Sequence, residues 1–245
     1  MEAGFRASTN GEVQCPFGRC DGSGWILTED NDAVIECECR EQRLARARVS
    51  GINSVIPKKF RGVSFDRPPV TEINPVAVQA VRDWIGELGS NLDRGRGLWL
   101  MGDTGTGKTT LAMLVSKEAL KLNRTVAIYS MPSLLTRIRA TYGAEAGEES
   151  YAGFFERLCE VDLLHIDDLG AEKQTEWVLE QLYSLVNERY EREKSIVVTT
   201  NLTEQDQLEQ QLGPRTVSRL VEMCGENMIP MFGDDARQKP QLRDA

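Results

Sequence analysis

The segment GDTGTGKTT, residues 102–110, decides the fold that this sequence predicts. It follows the apolar run LWLM, precedes a helical pattern and satisfies G-x-x-x-x-G-K-[ST]. Between a strand and a helix, the backbone N–H groups of such a loop and of the first helical turn converge on one point, where they can surround a phosphate group. We therefore predict a nucleotide-binding loop; the alternative is a glycine-rich turn with an incidental lysine.

The residues of this loop differ in what they can contribute. Lys108 should neutralise charge on the β- and γ-phosphates, and the hydroxyl of Thr109 should bind Mg²⁺. Small residues are needed elsewhere because the backbone must wrap closely around the β-phosphate. The predicted nucleotide-binding residues are Gly102, Asp103, Thr104, Gly105, Thr106, Gly107, Lys108, Thr109 and Thr110.

Short apolar segments alternate with helical patterns from residue 74 onward. The predicted strands are residues 97–101, 125–130, 161–167, 195–200 and 228–232. One predicted helix begins at Pro75, and four others span residues 108–122, 133–142, 175–192 and 214–224. The strands are apolar throughout, as expected where helices cover both faces of a parallel sheet. Residues 143–150 show no packing pattern and are predicted to form a loop. The sequence therefore predicts an α/β fold with a parallel five-stranded sheet flanked by helices.

The predicted strand VDLLHID ends in Asp167 and is followed directly by Asp168. Ligands of parallel sheets bind at the carboxyl ends of the strands. In phosphoryl transfer one acid orients the hydrated Mg²⁺ and another polarises the attacking water, so we assign Asp167, with Thr109, to the metal and Asp168 to the water. Two such acids alone could equally form a solvated turn or a helix cap. His165, the only histidine, lies among apolar neighbours and is expected to pack rather than to catalyse.

The strand SIVVTT ends in Thr199 and Thr200 and is followed by Asn201. A short polar side chain at this place could sense the γ-phosphate or hold the attacking water, and we assign Asn201 to this role. The alternative, which is compatible with sensing, is that Asn201 or Thr203 caps the next helix.

Four of the six cysteines fall within the first forty residues. Cys15, Cys20, Cys37 and Cys39 supply enough thiolates for a closed tetrahedral zinc site of the structural type. Free thiols or an iron–sulfur cluster are the alternatives, because a C-x-C pair strains the chelate. A domain of ~40 residues cannot be stabilised by hydrophobic burial alone, so that a metal would explain its stability.

The composition limits the classes of function. No apolar run approaches the ~20 residues that span a bilayer, and no targeting signal is visible at the N-terminus, so we expect a cytoplasmic protein without membrane contact. A net charge of −9 argues against coating nucleic acid by bulk attraction. A local contact with single-stranded DNA could use Arg137, Arg139 and Tyr142, although the two arginines do not share a helix face well.

We predict three regions along the chain: an N-terminal zinc-binding and partner-binding region (1–56), a linker (57–73) and an ATPase domain (74–245). Pro57, Pro68 and Pro69 discourage a continuous helix or strand in the linker. Before it, the basic segment EQRLARARVS could face an acidic partner or DNA, or form a solvated helix; its arginines, with the preceding residue, are Arg40, Arg43, Arg46 and Arg48.

The phosphate loop, DDLG and TTN occur in the order found in the AAA+ ATPases. More narrowly, the chain resembles the DnaC/DnaI helicase-loader family and its transposition relative IstB. The resemblance covers roughly residues 55–237 and is carried by PKKFRGVSFD, GLWLMGDTGTGKTTLA, LLHIDDLGAEKQTEWVLEQLYSLVNERY, VVTTNL and RTVSRL. It implies an AAA+ P-loop NTPase that hydrolyses ATP with Mg²⁺, and cysteine knuckles in relatives favour Zn²⁺ in the N-terminal region.

The resemblance also implies roles for individual arginines. Arg219, in the segment SRL, would reach the γ-phosphate bound by the adjacent subunit, so that the chain assembles through its ATP site; Arg215 is the second candidate. Arg237 would be the second sensor arginine. Because only eight residues follow it, we expect a fold that lacks a full helical lid.

The function expected from this resemblance is the ATP-dependent loading of the replicative DNA helicase onto single-stranded DNA in DNA replication. In helicase loaders the N-terminal region contacts the helicase. An IstB-like transposition helper that acts on duplex DNA is the main alternative. A nucleotide-gated binding module with little hydrolysis is another, because Asp168 stands where many AAA+ proteins have glutamate.

Overall fold

The computed structural model describes residues 15, 17–21, 23–27, 34–40, 55–143 and 149–236. The chain divides into two units, Met1–Ser50 and Gly51–Ala245. In the first unit, β1 (Trp25–Leu27) pairs antiparallel with β2 (Val34–Glu36). The Cζ atom of Arg40 lies 3.8 Å from the centre of the Trp25 ring. The domain boundaries at residues 56 and 73 stay predictions.

The apolar segments of the second unit form its sheet. The strands are β3 (Leu98–Gly102), β4 (Val126–Ser130), β5 (Leu163–Asp167), β6 (Ser195–Thr200) and β7 (Met228–Met231). Their order is β4-β5-β6-β3-β7, and every neighbouring pair is parallel. The predicted parallel five-stranded sheet is therefore confirmed. Because β3 lies between β6 and β7, the phosphate loop starts beside the carboxyl ends of both.

Helices flank this sheet. They are α1 (Lys58–Arg61), α2 (Pro75–Gly86), α3 (Leu88–Asp93), α4 (Lys108–Lys121), α5 (Met131–Ala140), α6 (Tyr151–Glu160), α7 (Glu176–Glu191), α8 (Gln205–Leu212) and α9 (Pro214–Cys224). Single 3₁₀ turns span Val70–Glu72 and Thr141–Gly143. Among the described helices, none has both the length and the apolar character needed to cross a membrane.

The sequence patterns do not predict α1, which lies in the segment predicted to be a linker, nor α3, α6 and α8. In α8 only Leu208 and Leu212 are buried, so a single pair four residues apart shows the helical period. The helix α6 follows the predicted loop, of which residues 144–148 lie outside the described residues. It starts at Tyr151, after the N-cap Ser150, whose hydroxyl accepts a hydrogen bond from the N–H of Gly153 at 3.2 Å. Helix α8 begins after Glu204, which makes no side-chain cap bond, and not at Asn201 or Thr203.

One cluster of the core lies between the sheet and helices α2 and α4, and further buried apolar side chains lie on α5, α6 and α7. Val63, Val70 and Ile73, which belong to the segment predicted to be a linker, are buried in this core. This part of the segment therefore packs with the second unit. His165 is also buried; its Nδ1 atom is 2.8 Å from the hydroxyl of Ser116, and burial lowers its pKa to about 3. These contacts agree with a packing role for the histidine.

A buried arginine joins α6 to the start of β6. Arg189 donates a hydrogen bond from Nη1 to the carbonyl of Leu158 at 2.6 Å, and another from Nη2 to the carbonyl of Ser195. Burial lowers its pKa to about 9. The guanidinium supplies donors to backbone carbonyls that the core would otherwise leave unpaired.

Candidate nucleotide site

The phosphate loop leaves β3 at Gly102 and enters α4 at Lys108. Two of its glycines adopt left-handed conformations, with φ of 83° at Gly105 and 98° at Gly107. A Cβ atom at Gly107 would collide with the side chain of Ile73. Glycine is required at these turns because it alone combines a positive φ with such close packing. The first turn of α4, whose N–H groups a helix does not itself pair, therefore follows directly on this loop.

Lys108 closes the loop from inside. Its ammonium group donates hydrogen bonds to the carbonyl of Gly102 at 2.9 Å and to that of Asp103 at 2.6 Å, and the side chain is buried. A buried ammonium beside helix N–H groups makes this loop electropositive, which suits a phosphate group.

The structure brings together the predicted magnesium ligands, although they are 58 residues apart. The hydroxyl of Thr109 donates a hydrogen bond to Oδ1 of Asp167 at 2.9 Å. The hydroxyl of Thr199 donates to the same oxygen at 2.7 Å. A hydroxyl and a carboxylate oxygen beside the phosphate loop are ligands that suit Mg²⁺. The roles of Thr109 and Asp167 in metal binding stay predictions.

Thr199 also fixes the turn that carries the second acid. Its hydroxyl accepts a hydrogen bond from the N–H of Asp168 at 2.9 Å, and its carbonyl accepts one from the N–H of Leu169 at 2.8 Å. Asp168 has φ of 55°, a left-handed conformation that few residues other than glycine adopt. Strained backbone of this kind is frequent at functional sites. Asn201, to which the sequence analysis assigned sensing, is exposed beyond the end of β6, whereas Thr199 is buried beside Asp167.

The chain also returns to the phosphate loop after β7, a contact that the sequence patterns do not predict. The N–H of Gly233 donates to Oδ2 of Asp103 at 3.0 Å, and the N–H of Ala236 donates to the carbonyl of Gly105 at 3.3 Å. A Cβ atom at Gly105 would collide with the carboxylate of Asp235. The predicted sensor, Arg237, lies outside the described residues. The sequence feature that could have indicated this return is the turn sequence GDD directly after the predicted strand.

Arg219 contacts its own chain at a different place. Its guanidinium lies 4.3 Å from the centre of the Tyr190 ring, Nε donates to Oδ1 of Asn187 at 3.2 Å, and Nη1 is 3.4 Å from Oε2 of Glu222. These partners lie on α7 and α9 and not on the phosphate loop. A cavity of about 400 Å³ beside it is lined by Tyr183, Pro214, Arg215, Ser218 and Arg219.

The four N-terminal cysteines form a cluster in the first unit. Their Sγ atoms all lie within 4.8 Å of one another, with Cys15 and Cys37 at 3.7 Å and Cys20 and Cys39 at 3.4 Å. Tetrahedral zinc with Zn–S bonds of ~2.3 Å requires sulfur separations of about 3.8 Å. The cluster could therefore hold a metal ion. Although burial raises the pKa of the Cys15 thiol, backbone hydrogen bonds outweigh this effect and lower it to about 6, whereas burial and contacts with the other thiols raise the pKa of Cys39.

Of the residues predicted to contact DNA, Arg137 has different partners from Arg139 and Tyr142. The side chain of Arg137 pairs with Glu149 at 2.6 Å. The Cζ atom of Arg139 lies 4.5 Å from the centre of the Trp177 ring, and the indole N–H of Trp177 donates to the hydroxyl of Tyr142 at 3.0 Å. Arg139, Tyr142 and Trp177 thus form one partly exposed group, from which Arg137 is separate. The other basic residues of the N-terminal segment, Arg43, Arg46 and Arg48, lie outside the described residues.

Comparisons with known proteins agree with this geometry. Residues 79–241 match the family described as IstB-like ATP binding protein. The chain is 27% identical over 231 residues to the phage-like element PBSX protein XkdC of Bacillus subtilis (strain 168), covering 88% of this chain and 82% of that protein. It is 23% identical over 206 residues to the replicative helicase loader DnaC of Escherichia coli (strain K12), covering 83% and 79%.

A solved structure shares the fold. The crystal structure of the DnaC helicase loader superposes with a TM-score of 0.60 at 23% sequence identity, covering 73% of this chain and 100% of that chain. The predicted AAA+ fold is therefore confirmed.

Proposed function

The chain belongs to the family of IstB-like ATP binding proteins, and we propose that it is an ATPase that loads a replicative DNA helicase onto single-stranded DNA. The similarity to the family that contains the DnaC and DnaI loaders, which its sequence motifs indicate, is also confirmed. The single observation that carries the proposed chemistry is the contact between Thr109 and Asp167 beside the phosphate loop. It joins a hydroxyl and a carboxylate at the place where a bound triphosphate would end.

Different residues of the site are proposed to bind the phosphates and the Mg²⁺ ion. The N–H groups of the loop and of the first turn of α4 surround the phosphates, and Lys108 exchanges the carbonyls of Gly102 and Asp103 for phosphate oxygens. Thr109 and Asp167 would hold Mg²⁺, which when bound neutralises charge on the phosphates. Hydrolysis then depends on the groups that orient water and stabilise charge.

Asp168 is proposed to orient the attacking water. The bond from its N–H to Thr199 holds the residue in place. The arginine supplied by a neighbouring copy is assigned to Arg219 from the resemblance of its SRL segment, and its contacts in its own chain, on α7 and α9, are compatible with this role. An arginine supplied in trans makes turnover depend on assembly. The roles of Asn201 and Arg237 as sensors stay part of this proposal.

The remaining features fit the macromolecular partners. Arg139, Tyr142 and Trp177 combine a cation with two exposed or half-buried rings, a combination that binds single-stranded DNA by stacking. The first unit would hold Zn²⁺ and contact the helicase. Among the residues of this unit that the structure describes, large apolar side chains are exposed at Phe17, Trp25, Val34 and Ile35. Exposed apolar side chains grouped on a small unit are typical of an interaction surface.

The proposal is tested with purified protein and the helicase of the host. We expect nucleotide binding that Lys108→Ala abolishes, and turnover that Arg219→Ala abolishes while binding remains. We further expect ATP-dependent capture of the helicase and stimulation by single-stranded DNA. Capture of a transposase with assembly on duplex DNA would instead support the IstB-like alternative, which the family match itself keeps open. Tight ATP binding without phosphate release, even with DNA and helicase, would support a nucleotide-gated binding module.

A further inference from the structure

The guanidinium of Arg219 is held on three sides by its own chain. The Tyr190 ring lies beneath it at 4.3 Å, the Asn187 amide oxygen accepts its Nε–H at 3.2 Å, and Glu222 approaches Nη1 at 3.4 Å. Only about a third of the Arg219 side chain is exposed, at 35%. By contrast, Arg215, one turn earlier on α9, is exposed. The two arginines of α9 are therefore held differently.

The contacts with Tyr190 and Asn187 leave part of the guanidinium available. A cation over an aromatic ring is attracted to its face without the use of an N–H donor. Asn187 takes only the Nε–H, so that neither contact uses the terminal nitrogens. Arg219, which carries these terminal nitrogens, lines the cavity together with Arg215 and Ser218. A cavity with two arginines and a hydroxyl suits an anion.

We propose that Asn187 and Tyr190 are positioning residues that hold Arg219 ready for the terminal phosphate bound by a neighbouring copy of this chain. The proposal rests on the proposed function, because it assumes a nucleotide site shared between copies. The long side chain of arginine has many rotamers, and most of them would not reach a phosphate on another chain. A side chain that is already held loses less freedom on assembly, which favours the transition state when the copies meet.

A merely structural role for these residues makes a different prediction. If Asn187 and Tyr190 only joined α7 to α9, their loss would lower stability and would affect every function of the altered chain. If they position Arg219, the altered chain fails only as a donor of arginine, and its own nucleotide site stays competent. The two roles are separated when the altered chain is given a neighbour with an intact Arg219.

The experiment combines two defective chains. The first is the double variant Asn187→Ala/Tyr190→Leu, which retains its own phosphate loop. The second is Lys108→Ala, which cannot use ATP but retains Asn187, Tyr190 and Arg219. Each variant is assayed alone for binding of a fluorescent ATP analogue and for phosphate release, and the two are then mixed in equal amounts.

We expect the double variant alone to bind nucleotide within about twofold of the unaltered chain and to lose ~10-fold or more in kcat, part of the ~10³-fold or greater effect of a trans arginine. In the mixture, the Lys108→Ala chain donates its Arg219. Random head-to-tail mixing gives about a quarter of the subunits both an intact site and an intact donor, so activity should rise toward about a quarter of the normal rate.

Two further variants serve as controls. Tyr190→Phe keeps the ring and should retain most of the activity. Arg192→Ala, at the end of the same helix, removes ion pairs with Glu156 and Glu188 without contact to Arg219, and should retain normal kcat even if it melts at a lower temperature. Normal kcat in the double variant, or no gain of activity on mixing, would overturn the proposal. A normal rate in Arg219→Ala would instead show that the shared site of the proposed function is wrong.

Discussion

Replacing Thr199 by valine tests the geometry of the candidate site most directly. Valine has nearly the same shape as threonine, but it lacks the hydroxyl that donates to Asp167 at 2.7 Å and accepts from the N–H of Asp168 at 2.9 Å. The Thr199 side chain is fully buried, whereas its partners Asp167 and Asp168 are half-buried, so solvent reaches the acids but not the position that the hydroxyl leaves. The substitution therefore removes two hydrogen bonds without opening a cavity.

The expected loss of stability follows from these bonds. A hydrogen bond to a charged carboxylate contributes about 1.5–3 kcal/mol, and one to a backbone N–H about 0.5–1.5 kcal/mol, so Thr199→Val should lower the free energy of unfolding by about 2–4 kcal/mol. Thr199→Ser keeps the hydroxyl and loses one methyl group, which costs about 1 kcal/mol. In urea, with a slope of roughly 3 kcal/mol per M, the valine variant should unfold at a midpoint roughly 1 M lower.

The same variant should also change the chemistry. Asp167 loses one of the two hydroxyl donors to Oδ1, and the turn at Asp168 loses its anchor. We expect the Mg²⁺ concentration that gives half-maximal ATP hydrolysis to rise and kcat to fall, whereas Thr199→Ser should keep both values near normal. Urea unfolding and Mg²⁺ titration of the ATPase rate measure these changes. If valine and serine have the same effect on both, the hydroxyl of Thr199 does not organise this site.

Four other changes have defined outcomes. Arg189→Met should lower the free energy of unfolding by about 3 kcal/mol, measured in urea, because it leaves buried carbonyls without donors; an unchanged midpoint would contradict this. The protein should carry about one zinc ion per chain by metal analysis, and Cys37→Ser should lose it, because four thiolates close a tetrahedral site; unaltered protein expressed with zinc but free of metal would refute the site. Glu222→Gln keeps an acceptor for Tyr190 and removes the charge beside Arg219, so the protein concentration for half-maximal ATPase activity should fall about 1.5- to 5-fold, as for an exposed ion pair; no fall would show that Glu222 does not compete for the arginine. Asp168→Glu should raise kcat, since a longer carboxylate reaches the water better; a lower phosphate-release rate would argue against that role.

Local sequence patterns predicted most of the fold. The strand β6 and helix α9 have the bounds that the sequence predicts, because an apolar run and a strong helical stripe identify them without knowledge of the rest of the chain. The helix α8 could not be identified in this way, since Leu208 and Leu212 are its only buried residues. Its existence depends on packing between elements and not on its own period.

The residues of the candidate site also differ in whether a local sequence pattern predicts them. The phosphate loop and Asp167 could be predicted because each is a fixed pattern next to a strand. Thr199 required the register of the sheet: Ile166 pairs with Val198, so the next residue of each strand places Asp167 beside Thr199. Side chains of a strand alternate between its faces, which excludes Thr200 from the same place, and Asn201 lies beyond the end of the strand.

The return of the chain to the phosphate loop depends on strand order, which no local pattern contains. Gly233 and Ala236 reach Asp103 and Gly105 because β7 lies next to β3 at the edge of the sheet. Met231 illustrates the same dependence, since its carbonyl accepts the N–H of Asp103 at 3.0 Å across that edge. Residues that are well over a hundred positions apart in the sequence are thereby brought within hydrogen-bonding distance. The parts of the site that the sequence could not predict are therefore those in which parallel pairing, and not a motif, supplies the contact.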